Sequence, residues 1–374
     1  MPSIAARAPT IVKISLAPRP YEAVIQHGIL RQAGARFAEL YGEQRPAFVV
    51  TTPPVRRRWG KWLAESFATA RLSVKFVEMP DGERYKKLAT VEDLAEKLIH
   101  AGADRNAVVI AFGGGVVGDS AGLLASLYMR GVEFLQIPTT VLAQVDASIG
   151  GKTGVNLRSG KNLVGTFNQP RAVWIDPGVL STLPDREFQA GLYESLKCGV
   201  IGNPELFALL QKMRPRELRK DHAKLEWVIA ESVRLKAELV SADERESNVR
   251  RFLNFGHTIG HALESLTEYR HFLHGEAVAW GMIAASDIAA SLKYFSSADA
   301  DRVAAAVQAM GPLPAVNVRS RDVLRILQTD KKTSYGVVHF VLPREIGRVE
   351  VVKDVPERVV IEAVDGLRRM SAQD

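Results

Sequence analysis

Along the first half of the chain, short apolar, β-branched runs alternate with amphipathic stretches. Residues 47–51, 73–77, 107–112, 134–137 and 172–175 have the length and composition of strands. The third run, Ala107-Val108-Val109-Ile110-Ala111-Phe112, is apolar at every position. Successive side chains of a strand point to opposite faces, so such a run marks a parallel strand covered on both sides. Residues 91–101, between the second and third runs, carry apolar positions at helical spacing. Strand, helix, strand repeated in this way predicts a parallel sheet with right-handed crossovers.

The pattern changes at Leu183-Pro184-Asp185-Arg186-Glu187, where a proline and two acids signal a helix start. Helices are predicted over 186–200, 222–240, 257–267, 275–293 and 298–310. Near the end, 336–342 and 348–352 predict a β-hairpin turning through 343–347. The expected architecture is an α/β N-terminal Rossmann-like domain with a parallel sheet, residues 1–183. A mainly α-helical C-terminal domain follows, residues 184–374.

At 47% hydrophobic and 24% charged, the 374 residues have the composition of a globular protein with ample core. The net charge of +7 is spread out, and the densest runs, Arg56-Arg57-Arg58 and 214–220, lack interleaved aromatics. They match no nucleic-acid module, so nucleic acid is not an expected partner. An acidic small substrate accounts for part of the excess. The single cysteine, Cys198, excludes an intramolecular disulfide and fits a reducing cytoplasm. No apolar stretch reaches the ~18 residues of a spanning helix, and the N-terminal residues lack the apolar core of a signal peptide.

Four motifs carry candidate chemistry. Gly113-Gly114-Gly115-Val116-Val117-Gly118-Asp119 follows the apolar third run. Adjacent glycines let backbone N–H groups crowd a pyrophosphate, and a helix start adds positive field, although the spacing is not G-x-G-x-x-G. Lys152 and Lys161 lie in glycine-rich stretches, where Asn156 and Asn162 beside them favour a polar pocket over two exposed loop lysines. They offer compact charges for phosphate or carboxylate. His257 and His261 share a helix face, with Thr258 where a metalloprotease would carry glutamate. That pair alone fits either a packed core or a metal, and His274-Gly275-Glu276 tips the balance toward metal. Glu194, with Lys197 one turn on, supplies a carboxylate or forms a plain ion pair. One carboxylate and two imidazoles suit a catalytic divalent metal with an open position.

Together these motifs resemble the 3-dehydroquinate synthase family, over about 81–347. Further carriers are Asp81-Gly82-Glu83-Arg84-Tyr85-Lys86, Tyr128-Met129-Arg130-Gly131, Pro138-Thr139-Thr140, Arg250 with Asn254, and Asp330-Lys331-Lys332. The resemblance implies a dehydroquinate synthase-like fold and a homodimer that uses NAD and one divalent metal, zinc or cobalt. It implies conversion of 3-deoxy-D-arabino-heptulosonate 7-phosphate to 3-dehydroquinate and phosphate. The route is transient oxidation, phosphate β-elimination, re-reduction and intramolecular aldol closure.

By the same resemblance, Glu194, His257 and His274 bind the metal. NAD is surrounded by Asp81, Gly82, Glu83, Arg84, Tyr85 and Lys86, and by Gly114, Gly115, Val116, Val117, Gly118 and Asp119. Thr139, Thr140, Lys152, Lys161 and the turn Val179, Leu180, Ser181, Thr182 complete that set. Lys152, Asn162, Lys197 and His261 match the phosphate side, and Lys236, Arg250 and Lys331 the carboxylate side. Asp146 and Asn254 belong to the catalytic set, and Arg130 reaches in from the partner subunit. The chain departs from the family at Thr51-Thr52-Pro53-Pro54, where Asn or Asp is common, and at Tyr193 and Ser195-Leu196 beside Glu194. The alternatives are a sister sugar-phosphate cyclase acting on another sugar phosphate, a polyol-type net dehydrogenase, and a non-catalytic binding protein. The carboxylate set Lys236, Arg250 and Lys331 favours the heptulosonate.

Overall fold

The structure, a computed structural model, describes residues 8–329 and 338–372. The chain divides into two compact units, residues 1–183 with 222–241, and 184–221 with 242–374. The helix His222–Ala242, expected with the second domain, thus groups with the first unit. It buries a stripe that includes Leu225, Val228, Ile229, Val233 and Val240.

The strands in chain order are β1 Thr10–Ile14, β2 Tyr21–Ile25, β3 Ala47–Thr51, β4 Val74–Glu78, β5 Val108–Gly113, β6 Glu133–Pro138, β7 Lys152–Leu157, β8 Gly160–Phe167, β9 Ala172–Ile175, β10 Phe340–Glu345 and β11 Arg348–Val352. Seven of them form one sheet in the order β1-β2-β9-β6-β5-β3-β4. Only the β1–β2 pair at the edge is antiparallel. The apolar run of β5 explains its central place. Val109 and Ala111 enter one hydrophobic cluster, while Val108, Ile110 and Phe112 enter the other. Each face is then closed by its own set of side chains, as a doubly covered parallel strand requires.

From β3 the chain moves outward to β4, whereas from β5 it moves the opposite way to β6. The carboxyl ends of β3 and β5 therefore flank a topological switch point, where open α/β sheets bind their ligands. The Gly113–Gly115 segment lies at that end of β5, and the helix Gly115–Leu127 starts there.

Several elements differ from expectation. The stretches around Lys152 and Lys161, where the pattern predicts no strand, pair as the antiparallel hairpin β7–β8. Their glycines mark close strand approach: a Cβ at Gly165 would lie 2.0 Å from the Thr153 carbonyl oxygen. Strands β1 and β2 and the helices Ala33–Tyr41, Lys61–Thr69, Pro204–Lys212, Ser320–Thr329 and Glu357–Ser371 add to the expected elements. The C-terminal hairpin forms as β10–β11. Residues 336–337 of its expected first strand lie outside the described residues.

The second unit is built on long helices, Asp185–Gly202, His257–Leu266 and His274–Ser291 among them. Two of them pack closely through glycine: a Cβ at Gly281 would lie 1.8 Å from the Gly256 carbonyl oxygen. Among the described residues, no helix is long and apolar enough to cross a membrane.

Candidate active site

In the second unit, Glu194 sits mid-helix on Asp185–Gly202, fully buried. Neither of its carboxylate oxygens accepts a hydrogen bond among the described residues. One oxygen makes an ion pair with Lys197, three residues on and equally buried. The other faces two imidazoles, 3.9 Å from His257 Nε2 and 3.6 Å from His274 Nε2. A buried carboxylate without hydrogen bonds costs several kcal/mol unless a cation sits beside it.

Glycines bring these groups together. Gly256 adopts a left-handed conformation (φ 78°) at the start of the helix that carries His257. A Cβ there would lie 2.8 Å from the Val278 carbonyl oxygen of the neighbouring helix. At Gly275, a Cβ would lie 1.8 Å from the carbonyl oxygen of Ala190, one turn before Glu194. The absent side chain lets the His274 helix start directly against the Glu194 helix. The same junction is clamped by Arg186, which donates from Nε and Nη2 to both oxygens of buried Glu276, at 2.6 and 2.7 Å.

The two imidazoles are oriented from behind. His257 Nδ1 lies 3.2 Å from the Phe255 carbonyl oxygen, and His274 Nδ1 lies 3.3 Å from a Glu264 carboxylate oxygen. Both partners are acceptors, which favours a proton on each Nδ1 and leaves each Nε2, on the Glu194 side, available to a metal. Burial, then Lys197 and the two other histidines, hold the His257 imidazole well below its usual pKa. It is therefore neutral and available as a ligand at pH 7. His261 completes a three-histidine group whose ligand atoms lie within 4.8 Å of one another. The geometry thus offers Glu194 with His257 and His274, and His261 as a fourth close group. A divalent cation fits this donor set.

In the same unit, Arg250 is buried and donates to the Glu244 carbonyl. Its loop is organised by Asp243, whose carboxylate accepts from Ser247 N, Asn248 N and Arg250 N at 3.0, 2.6 and 3.2 Å. Burial raises the Asp243 pKa, but the hydrogen bonds from Asn248, Ser247 and Arg250 outweigh it and hold the carboxyl below its usual range. Asn254 donates to Glu246.

The first unit carries the other candidates. Gly114 is extended and caps the helix Gly115–Leu127, so Gly115, Val116, Val117, Gly118 and Asp119 form its first turns. A Cβ at Gly114 would lie 3.0 Å from Thr140 Cγ2, and Thr139 N donates to the Gly113 carbonyl at 2.9 Å. Glycine thus keeps a narrow cradle open where helix N–H groups emerge, a fit for pyrophosphate. Asp119 accepts from buried Lys86, which also donates to Asn162 Oδ1 at 2.6 Å. Burial works against the Lys86 ammonium, but Asp119 and Glu83 outweigh it and raise its pKa. Asn156 extends the network, donating to Glu83 at 2.7 Å and accepting from Asn162 N at 3.0 Å. The 81–86 segment, the glycine-loop helix and the β7–β8 hairpin are thereby tied together, with Lys152 and Lys161 on the hairpin.

Lys236 Nζ donates to the Asp146 carboxylate at 2.6 Å and to its carbonyl at 2.8 Å. Val179, Leu180, Ser181 and Thr182 form the turn Pro177–Thr182, where Thr182 accepts from Trp59 Nε1 at 3.1 Å. Arg130 is exposed on a turn in which Met129, Arg130 and Gly131 all have positive φ, at 47°, 69° and 115°. Lys331 lies outside the described residues.

Sequence reasoning missed Glu264 and Asp243. The signal for Glu264 was its spacing, seven and three residues beyond His257 and His261 along one helix face. Asp243 carried no comparable sign. At the departures from the family, Thr52 is buried past the end of β3, and the Tyr193 hydroxyl accepts from Gln189 at 2.9 Å.

A doubly wound sheet with a glycine-lined helix start, and a separate helical unit holding a carboxylate–histidine cage, define an α/β enzyme class built for a nucleotide and a metal. The comparisons narrow that class. Residues 76–190 match the 3-dehydroquinate synthase N-terminal model and residues 191–333 the C-terminal model, so the chain belongs to the 3-dehydroquinate synthase family. It is 53% identical to a 3-dehydroquinate synthase of Koribacter versatilis (strain Ellin345) over 360 residues, covering 96% of this chain and 98% of that one. Among solved structures, it resembles 2-deoxy-scyllo-inosose synthase complexed with carbaglucose-6-phosphate, NAD+ and Co2+. The TM-score there is 0.85 at 28% identity, covering 95% of this chain and 99% of that one. It is equally similar, at TM-score 0.85, 30% identity and the same coverage, to 2-epi-5-epi-valiolone synthase from Streptomyces hygroscopicus subsp. jinggangensis 5008 with NAD+ and Zn2+ bound.

Proposed function

We propose that the protein converts 3-deoxy-D-arabino-heptulosonate 7-phosphate to 3-dehydroquinate and phosphate, using NAD catalytically and one divalent metal. The observation that carries this is the Glu194–His257–His274 cage, with each Nδ1 anchored and each Nε2 turned inward. It stands in a chain 53% identical to a synthase of that name. When bound, the metal acts as a Lewis acid on substrate hydroxyls, and NAD takes up and returns one hydride.

The chain's own groups bind and orient. Glu194, His257 and His274 hold the metal. The cradle at Gly114–Asp119, with Lys86, Thr139, Thr140, Lys161 and the Val179–Thr182 turn, holds NAD. Lys152, Asn162, Lys197 and His261 bind the substrate phosphate, with His261 and Lys197 as a hydrogen-bonding relay. Lys236, set by Asp146, and Arg250, set by the Asp243 loop, bind the carboxylate together with Lys331. Fixing the substrate at its phosphate and its carboxylate restricts its motion, a proximity effect worth several kcal/mol. Exposed Arg130 acts on the partner's site in a homodimer, and the enzyme works in the cytoplasm.

The test is phosphate release from the heptulosonate phosphate, sedoheptulose 7-phosphate and glucose 6-phosphate by purified protein. Turnover of the first alone supports the proposal. Turnover of either of the others in its place moves the protein to a sister cyclase.

A further inference from the structure

We propose that Glu264 is the positioning residue that fixes the His274 imidazole for metal binding, and that metal affinity depends on its carboxylate. The inference rests on the ligand roles proposed above. Glu264 is buried, two turns along the helix that His257 begins. One of its oxygens lies 3.3 Å from His274 Nδ1, while Nε2 of the same ring lies 3.6 Å from Glu194. Each nitrogen of one imidazole thus addresses a different carboxylate. An acceptor behind Nδ1 fixes the tautomer with its proton there, leaves the Nε2 lone pair inward, and makes that nitrogen more basic.

His257 obtains the same orientation from the Phe255 carbonyl, which no side-chain substitution removes. His274 begins its helix and lies beside Gly275, so its own backbone gives the ring less support. Glu264 is therefore the one of the two anchors that mutation can reach.

The experiment measures zinc affinity of the full-length protein by competition with a chromophoric chelator, in wild type, Glu264→Ala, Glu264→Gln and His274→Ala. Imidazole 15N shifts of the zinc-free proteins report the His274 tautomer. Glu264→Ala is expected to weaken zinc about 10–100-fold, the usual range for such an anchor, and to release His274 from the Nδ1–H tautomer. Glu264→Gln keeps an acceptor but loses the charge, so it falls between wild type and the alanine variant and keeps the tautomer. Should the alanine variant fail to fold, the glutamine variant decides, with weakened zinc binding supporting the inference. Wild-type zinc affinity in the Glu264 variants, with zinc lost in His274→Ala, overturns this inference alone. Wild-type affinity in His274→Ala overturns the ligand reading beneath it.

Discussion

Replacing Lys197 by methionine tests the electrostatics of the cage. The change keeps the aliphatic stem and removes the ammonium that contacts Glu194, where both side chains are 1% exposed. Removing one member of a buried pair typically costs about 3–5 kcal/mol, because the remaining charge stays buried. For a unit of this size, residues 184–221 with 242–374, each kcal/mol moves Tm by about 2–4 °C. In chelator, Lys197→Met is thus expected to melt roughly 6–20 °C below wild type. Zinc at about 1,000 times its Kd stabilises a binding protein by about 4 kcal/mol, so it should restore much of the loss. The rise on adding zinc should be larger in the variant than in wild type, since no ammonium then repels the cation. Thermal unfolding by circular dichroism, with chelator and with zinc, reads both effects. Equal melting of the two proteins in chelator, or equal zinc stabilisation, refutes the argument.

Other expectations follow from the same geometry. Gly275→Ala places a Cβ where the Ala190 carbonyl oxygen already stands, so the two helices must part. We expect a cost of about 1–3 kcal/mol and loss of zinc affinity, and unchanged affinity in a titration would contradict it. Asp243→Asn should lower stability at pH 7 by about 1.5–3 kcal/mol, the range for hydrogen bonds to a charged acceptor. Its folded pKa is depressed, so its contribution is complete above the unfolded value near 3.9 and disappears as pH falls through the folded value. Denaturant midpoints should therefore differ at pH 7 and converge in acid; a difference that persists in acid counts against the carboxylate. Arg250→Ala should cost about 2–5 kcal/mol in kcat/KM for the heptulosonate phosphate, and an unchanged kcat/KM would remove Arg250 from the carboxylate set.

Much of the fold was readable because burial imposes pattern. The strands β3, β5 and β9 lie within a residue of the apolar runs that predict them, since a two-faced parallel strand tolerates little else. The β7–β8 hairpin was hidden, because Gly154 and Gly165 are there for close backbone contact and resemble loop glycines in sequence. The proposed metal ligands were legible as residue types, and the family resemblance named them as a set, but spacing alone did not bring them together. Spacing places His257 and His261 on one face, yet only the crossing at Gly275 shows His274 and Glu194 facing each other. Glu264 and Asp243 were invisible as functional groups, because their meaning depends on the partners that folding brings them. The 222–242 helix followed no sequence boundary and grouped with the first unit through its apolar stripe.

The central claim is oxidation and re-reduction within one active site, with no net redox. Its most direct measurement supplies the heptulosonate phosphate in excess over NAD, and follows phosphate release and NADH absorbance together, with and without chelator. The account requires many phosphates released per NAD, no accumulation of NADH, and loss of turnover on chelation that zinc or cobalt restores. One NADH formed per substrate consumed, or full turnover in chelator, would contradict it.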